Sequence, residues 1–237
     1  IRLNRDIRTM SDEQELQNKI WQQVRLVEYI NNMPISQIMI DYTEADDVIA
    51  TLCNFHKNEN KIIVSSDKDF IQLLDDKTLL FRPVQKEIMN KKRVQEKFLI
   101  HPANFALARA ICGDDSDNLG GVKGAGLKTL AKYFPDFLKE DSLTIDKLME
   151  TCENAENKLK IHEGILQNAE LIQKNYKIMQ LYTPSISTTT SGMIKNCVNN
   201  YPKELSKTNL RKMMIEDGFG EMNWEDLFSS LNKLQRG

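Results

Sequence analysis

The sequence predicts an α/β fold: a mostly parallel sheet flanked by helices, followed by a mostly helical second half. Three observations lead there. Helical and extended periodicities alternate through the first third of the chain. Lys61 to Ser66 (KIIVSS) is a continuous apolar run meeting polar residues, as in a buried parallel strand. Acidic residues then gather just after the expected strands, where such sheets collect their ligands. The division expected is an α/β layer over residues 1–98 and a helical region over 99–237.

Taken in order, residues 1–10 (IRLNRDIRTM) carry Arg2, Arg5 and Arg8 with little apolar pattern. Ser11 and Gln14 have the spacing of a capping box, with Asp12 and Glu13 in the favourable first turn. Leu16, Ile20, Val24 and Val27 then mark a helical stripe that runs out near Asn31, Asn32 and Pro34. Gln37 to Asp41 (QIMID) reads as a short strand. Thr43 is placed to cap a helix starting at Glu44, with Val48, Ile49, Leu52 and Cys53 as its inner face. Residues 78–89 read as two short strands turning near Pro83, and Asn90 as the cap of a basic helix. Pro102 suits a helix start, with Phe105, Ala108 and Ile111 on one face. Beyond Thr129 the pattern is helical to about Leu138, then over 144–158 and 162–181. A Ser/Thr-rich irregular stretch at 185–191 precedes a last helical region around 203–233.

Composition sets outer bounds. The 237 residues suffice for one large domain or two small ones with real cores. Hydrophobic residues at 41% and charged residues at 28% match a soluble globular protein. No apolar run approaches the ~20 residues that span a bilayer, and no signal-peptide pattern is visible, so no membrane partner is expected. Cys53, Cys112, Cys152 and Cys197 lie far apart, which suits a reducing intracellular compartment and argues against a zinc site with His56, His101 or His162. The net charge of −2 speaks against a nucleic-acid binder only at first sight. Setting aside seven carboxylates for a metal site leaves the remaining surface net positive.

Those seven come from three segments: Glu44, Asp46 and Asp47 in EADD, Asp67 and Asp69 in SSDKD, Asp114 and Asp117 in GDDSDN. EADD alone is ordinary helix-start chemistry, and SSDKD alone an ordinary turn after a strand. In this order and number they would repel one another without cations. Oxygen-only donors select Mg²⁺ or Mn²⁺, and two such ions ~4 Å apart suit activation of water against a phosphodiester. Directly after the last acidic group comes GGVKGAGLKT, with Gly120, Gly121, Gly124 and Gly126. It reads either as a tight interhelical turn or as a phosphate clamp. In the clamp reading the backbone N–H groups of Gly124 and Gly126, with Lys123, Lys128 and Thr129, grip a DNA phosphate, and turn carbonyls are suited to K⁺.

The three motifs, EADD (44–47), SSDKD (65–69) and GDDSDNLGGVKGAGLKT (113–129), resemble those of the flap endonuclease and 5′-exonuclease superfamily. The resemblance covers residues 1–135 well and the remainder loosely. It implies a PIN-like catalytic domain followed by a helix–three-turn–helix DNA-binding element at 113–135. Glu44, Asp46 and Asp47 would hold one metal; Asp67, Asp69, Asp114 and Asp117 would complete the site and hold the second. Arg2 and Arg5 would align with the end of the family's YKxNR motif, near the scissile phosphate. The resemblance also implies a preceding strand with a metal-binding Asp and a helical arch. Neither precedes Ile1, so the expectation is that the natural N-terminal segment is absent from this sequence. The function implied is a monomeric, cytoplasmic, Mg²⁺-dependent 5′ nuclease of replication, acting on DNA 5′ ends, flaps or RNA primers in a phage or bacterial setting. The rivals are a DNA-structure-binding module that keeps the clamp without cutting, and a small-molecule phosphatase that would leave the clamp without a purpose.

Overall fold

A computed structural model describes residues 10–200 and 204–234. It divides into two compact units: Tyr42–Ser187, and a second made of the residues up to Asp41 together with those from Thr188 onward. The 98/99 division expected from sequence therefore runs through the interior of one unit. The reason is packing: Phe105, Leu107, Ala108 and Ile111 share one core with Ala50, Ile63, Phe70 and Leu80.

In the larger unit, α2 (Ala45–Phe55) leads to β1 (Lys61–Val64). A 3₁₀ turn over Asp69–Leu73 follows, then β2 (Thr78–Arg82) and β3 (Glu87–Met89). β1 pairs with β2 in parallel, Ile63 opposite Leu80, and β2 pairs with β3 antiparallel, Leu80 opposite Met89. Among the described residues this small mixed sheet, in the order β1-β2-β3, replaces the mostly parallel sheet expected. The hairpin at 78–89 forms as its Pro83 turn foretells. QIMID does not form a strand: a strand exists only through ladder bonds to a neighbour, and none of the described residues supplies them. The cap of α2 is Glu44, one residue later than expected.

α3 (Lys91–Phe98) is capped as anticipated, the Asn90 side chain accepting from the Arg93 amide at 2.9 Å. α4 (Phe105–Cys112) is buried along nearly its whole length. After the glycine-rich loop come α5 (Leu127–Tyr133), α6 (Ile145–Glu153), α7 (Lys160–Gln167) and α8 (Ala169–Met179). The helix expected over 162–181 is thus broken at Asn168, whose side-chain amide donates to the Gly164 carbonyl at 2.7 Å and competes with continuation of the ladder. α4 and α8 pack along each other through the core.

In the smaller unit, α1 (Asp12–Ile30) shows the Ser11/Gln14 capping box in full. α9 (Thr188–Asn199) begins inside the Ser/Thr-rich stretch read as irregular. Ile194, fully buried there, supplies the tertiary anchor that weak local propensity does not. α10 (Lys207–Glu216) and α11 (Trp224–Leu234) divide the last helical region at Gly218, which takes φ +85°. Leu210, Met214 and Leu231 form this unit's own core, with Tyr29 and Met33 against it. Arg25 clamps Asp217 with two hydrogen bonds, 2.6 and 3.2 Å.

Candidate metal centre

Three of the seven carboxylates singled out in the sequence lie close together. Asp69, Asp114 and Asp117 each offer an oxygen within 4.8 Å of the other two, the one such grouping of metal-ligating side chains among the described residues. Each is delivered by backbone geometry. Asp69 opens the 3₁₀ turn that follows β1, its amide donating to Asp67 Oδ1 at 2.8 Å. Asp114 begins a tight loop closed by a reciprocal pair with Leu119, both N–H···O distances being 2.8 Å. The Ser116 amide and hydroxyl donate to Asp114 Oδ1 at 2.9 and 2.6 Å, which fixes the carboxylate's rotation. Asn118, at φ +55°, turns the chain back.

Two glycines make this loop possible. Gly113 takes φ +79°, and a Cβ there would lie 2.5–2.8 Å from the backbone of Gly120 and Gly121 and the Leu119 carbonyl. A Cβ on Gly121 would lie inside the Cys112 carbonyl. The backbone thus folds onto itself where the acidic loop meets the glycine-rich one. By contrast, Gly120 and Gly126 face open space.

Sequence reasoning missed Arg109. On α4 it donates from Nε to Asp69 Oδ1 at 3.2 Å and is hydrogen-bonded from Nη2 to Asp114 Oδ2. It is the cation that lets two half-buried carboxylates stand together. The signal was present: FALARAIC has one charge in an otherwise apolar helix, one turn before the acidic loop. Even so, the Asp69 carboxyl stays above the usual carboxylate range. Burial is the main cause, and the nearby charges of Asp67 and Asp117 add to it against the lowering effect of Arg109.

The other four carboxylates do not enter this grouping. Asp67 accepts the Asp69 amide on Oδ1 and so shapes the turn, while its charge is near enough to act on Asp69. Glu44 is the N-cap residue of α2, without a side-chain cap bond. Asp46 accepts from the Asp47 amide at 2.9 Å, a helix-start contact within its own first turn. Asp47 Oδ1 accepts from the Ser185 amide at 3.3 Å, and burial pushes its carboxyl up despite that bond.

The expected clamp residues lie on the loop and the helix that follow. Gly124 adopts φ +81° and Gly126 is the N-cap residue of α5. Val122 and Ala125 are buried, which pins the loop from beneath and leaves Lys123 and Lys128 exposed. Thr129 is half-buried in the first turn of α5. Neither lysine pairs with a carboxylate among the described residues. Arg2 and Arg5 lie outside the described residues.

An all-oxygen donor set, crowded enough to raise a carboxyl, fits a hard divalent cation. The surroundings are consistent with what the chain resembles. The 5′-3′ exonuclease N-terminal resolvase-like domain family matches residues 4–99. A 5′-3′ exonuclease of Buchnera aphidicola is 32% identical over 170 residues, 70% of this chain and 56% of that protein. One from Aquifex aeolicus is 32% identical over 178 residues, covering 73% and 58%. The thermostable DNA polymerase I of Thermus thermophilus is 31% identical over 137 residues, 57% of this chain but 16% of the polymerase. This chain therefore spans little more than half the length of the two exonucleases. Among solved structures, a bacteriophage T5 5′-exonuclease with bound divalent metal ions (zinc) superposes with a TM-score of 0.66 at 19% identity, covering 81% of this chain and 72% of that one. A phage T5 flap endonuclease in a pseudo-enzyme-product complex with DNA and metal ions gives 0.58 at 17% identity, covering 97% and 74%. No described helix is long and apolar enough to cross a membrane.

Proposed function

We infer from the shared motifs and the matching relatives that this chain belongs to the flap endonuclease and 5′-3′ exonuclease superfamily. We propose that it is a structure-specific 5′ nuclease, hydrolysing phosphodiesters of DNA, or of RNA paired to DNA, near 5′ ends. Its setting would be primer or flap removal during replication, as a monomer in a bacterial or phage-infected cytoplasm. The observation that carries this reading is the convergence of Asp69, Asp114 and Asp117 against a glycine-rich loop.

Asp69, Asp114 and Asp117, with Asp67 beside them, would hold one Mg²⁺ or Mn²⁺; Glu44, Asp46 and Asp47 are the proposed ligands of a second. Bound there, divalent cations supply an acidified water and positive charge against the developing charge on the phosphate. The chain's own residues do the rest. Arg109 neutralises the carboxylates when no cation is present, so the loop stays folded in a shape that can receive one. Lys123, Lys128, Thr129 and the amides around Gly124 and Gly126 would hold a backbone phosphate away from the cut, with K⁺ in the turn, so that a helix–three-turn–helix over 113–135 fixes the register of the duplex. Arg2 and Arg5 would meet the scissile phosphate.

The test is cleavage of a 5′-end-labelled flap duplex with Mg²⁺, comparing the chain with Asp114→Asn. Cutting by the first and not by the second is expected. Equal binding with no cutting in either would make this a clamp without a catalyst.

A further inference from the structure

The two turns that bring the acidic trio together are far apart in sequence, yet both are fastened to α8. Asn175 lies on the inner face of that helix and is 1% exposed. Its side-chain amide donates to the Ala110 carbonyl at 3.0 Å and to the Gly120 carbonyl at 2.8 Å. Those acceptors stand on either side of the loop that carries Asp114 and Asp117. One amide therefore closes the neck of that loop. Gln72, buried three residues beyond Asp69, makes the matching attachment. Its Oε1 accepts from the Leu181 amide at 2.7 Å, and its Nε2 donates to the Met179 carbonyl at 3.0 Å.

The chemistry of these bonds is selective. The last carbonyls of a helix have no intrahelical partner. In α4 the Arg109 carbonyl takes the Gly113 amide and the Ile111 carbonyl takes the Val122 amide, both at 2.8 Å. The Ala110 carbonyl between them is met by Asn175. A leucine would fill the same space in the core but would leave the buried Ala110 carbonyl without its donor and release the Gly120 carbonyl on the far side of the loop. The stripe of α8 buries Ile172, Asn175 and Met179, so the single polar member of that face is the one aimed at the acidic loop.

We infer that Asn175 and Gln72 are positioning residues: through α8 they set the separation between the turn that carries Asp69 and the loop that carries Asp114 and Asp117. The inference rests on the metal-nuclease reading above. Neither side chain need touch a cation; each holds backbone, and the backbone holds the carboxylates.

Asn104 supplies the control. It is as buried as Asn175 and also hydrogen-bonds to backbone, but its amide donates to the Phe137 and Lys139 carbonyls and not to the acidic loop. Mn²⁺ binding, measured by electron paramagnetic resonance on folded protein well below the unfolding midpoint, should weaken about tenfold or more in Asn175→Leu. Asn104→Leu should lower the midpoint and leave Mn²⁺ affinity unchanged. If the two variants alter Mn²⁺ affinity equally, or Asn175→Leu leaves it intact, the inference falls. Should Asn175→Leu fail to fold, Gln72→Leu makes the same comparison. Amide hydrogen exchange at Asp114 and Leu119 in metal-free protein reads the fastening without a metal. Selective loss of their protection in Asn175→Leu, in a chain that takes up no Mn²⁺, would remove the metal reading and keep the fastening. Unchanged protection would overturn the fastening itself.

Discussion

The two acidic regions of the larger unit use the same residue type to different ends. At the start of α2, Glu44, Asp46 and Asp47 occupy the cap and first turn, where the helix's own amides favour negative charge, with one outside bond, from the Ser185 amide to Asp47. At the neck between α4 and α5, Asp114 and Asp117 meet Asp69 from a distant turn, and the cluster stands on Arg109, two self-contacting glycines and a buried asparagine. Acid at a helix start is supported by local backbone. Acid gathered from separate segments must be held by a cation and by a frame, and the amount of fastening measures the repulsion being restrained.

The largest way to test that contrast is catalytic. Asp114→Asn should lower flap cleavage about 10³-fold and Asp46→Asn about tenfold, the trio's metal carrying more of the developing charge than the second. Equal losses in single-turnover cleavage would mean that both clusters act as one site once metal and DNA are bound. Next in size is the frame. Gly121→Ala should destabilise by ~3 kcal/mol in chemical denaturation, because its Cβ would overlap the Cys112 carbonyl, whereas Gly120→Ala should be close to neutral. Removing the counter-ion comes third. Arg109→Met should cost about 2 kcal/mol in metal-free protein, since it strips charged hydrogen bonds from Asp69 and Asp114, and Mg²⁺ should restore part of that loss. No restoration would place the cation elsewhere.

The smallest effect is a pH dependence. The folded-state value of Asp69 is raised, chiefly by burial, so the folded chain binds this proton more tightly than the unfolded one. Its contribution to stability is present at low pH and is lost as pH rises through the carboxylate range. The melting-temperature difference between Asp69→Asn and the parent, without metal, should therefore grow in favour of the variant as pH rises from about 4. A divalent cation should reverse it. Asp47 is raised for the same reason, and Asp47→Asn should show the same sign. A flat difference for Asp69→Asn would mean that Arg109 fully offsets the burial.

What the sequence determined by itself is whatever depends on neighbours along the chain. The Ser11 and Asn90 caps, the hairpin around Pro83 and the turn at Gly124 are local, set by one side chain or one φ angle, and they stand where the pattern puts them, while Pro102 opens a 3₁₀ turn with the α-helix following at Phe105. The motif spacing likewise singled out the seven carboxylates and the family resemblance. Only the tertiary structure decided which of those carboxylates meet. QIMID carries strand propensity, but a ladder needs a partner, and none of the described residues supplies one; of the seven carboxylates, Asp69, Asp114 and Asp117 form the close grouping. The α9 helix rests on burial of Ile194, which its Ser/Thr-rich start does not announce. Arg109 and Asn175 look in sequence like one polar residue each on an apolar helix face; what they hold lies 40 and 65 residues away at its furthest. Hydrogen bonds of that separation leave no periodicity behind, so the frame of the site becomes readable only once the chain is folded.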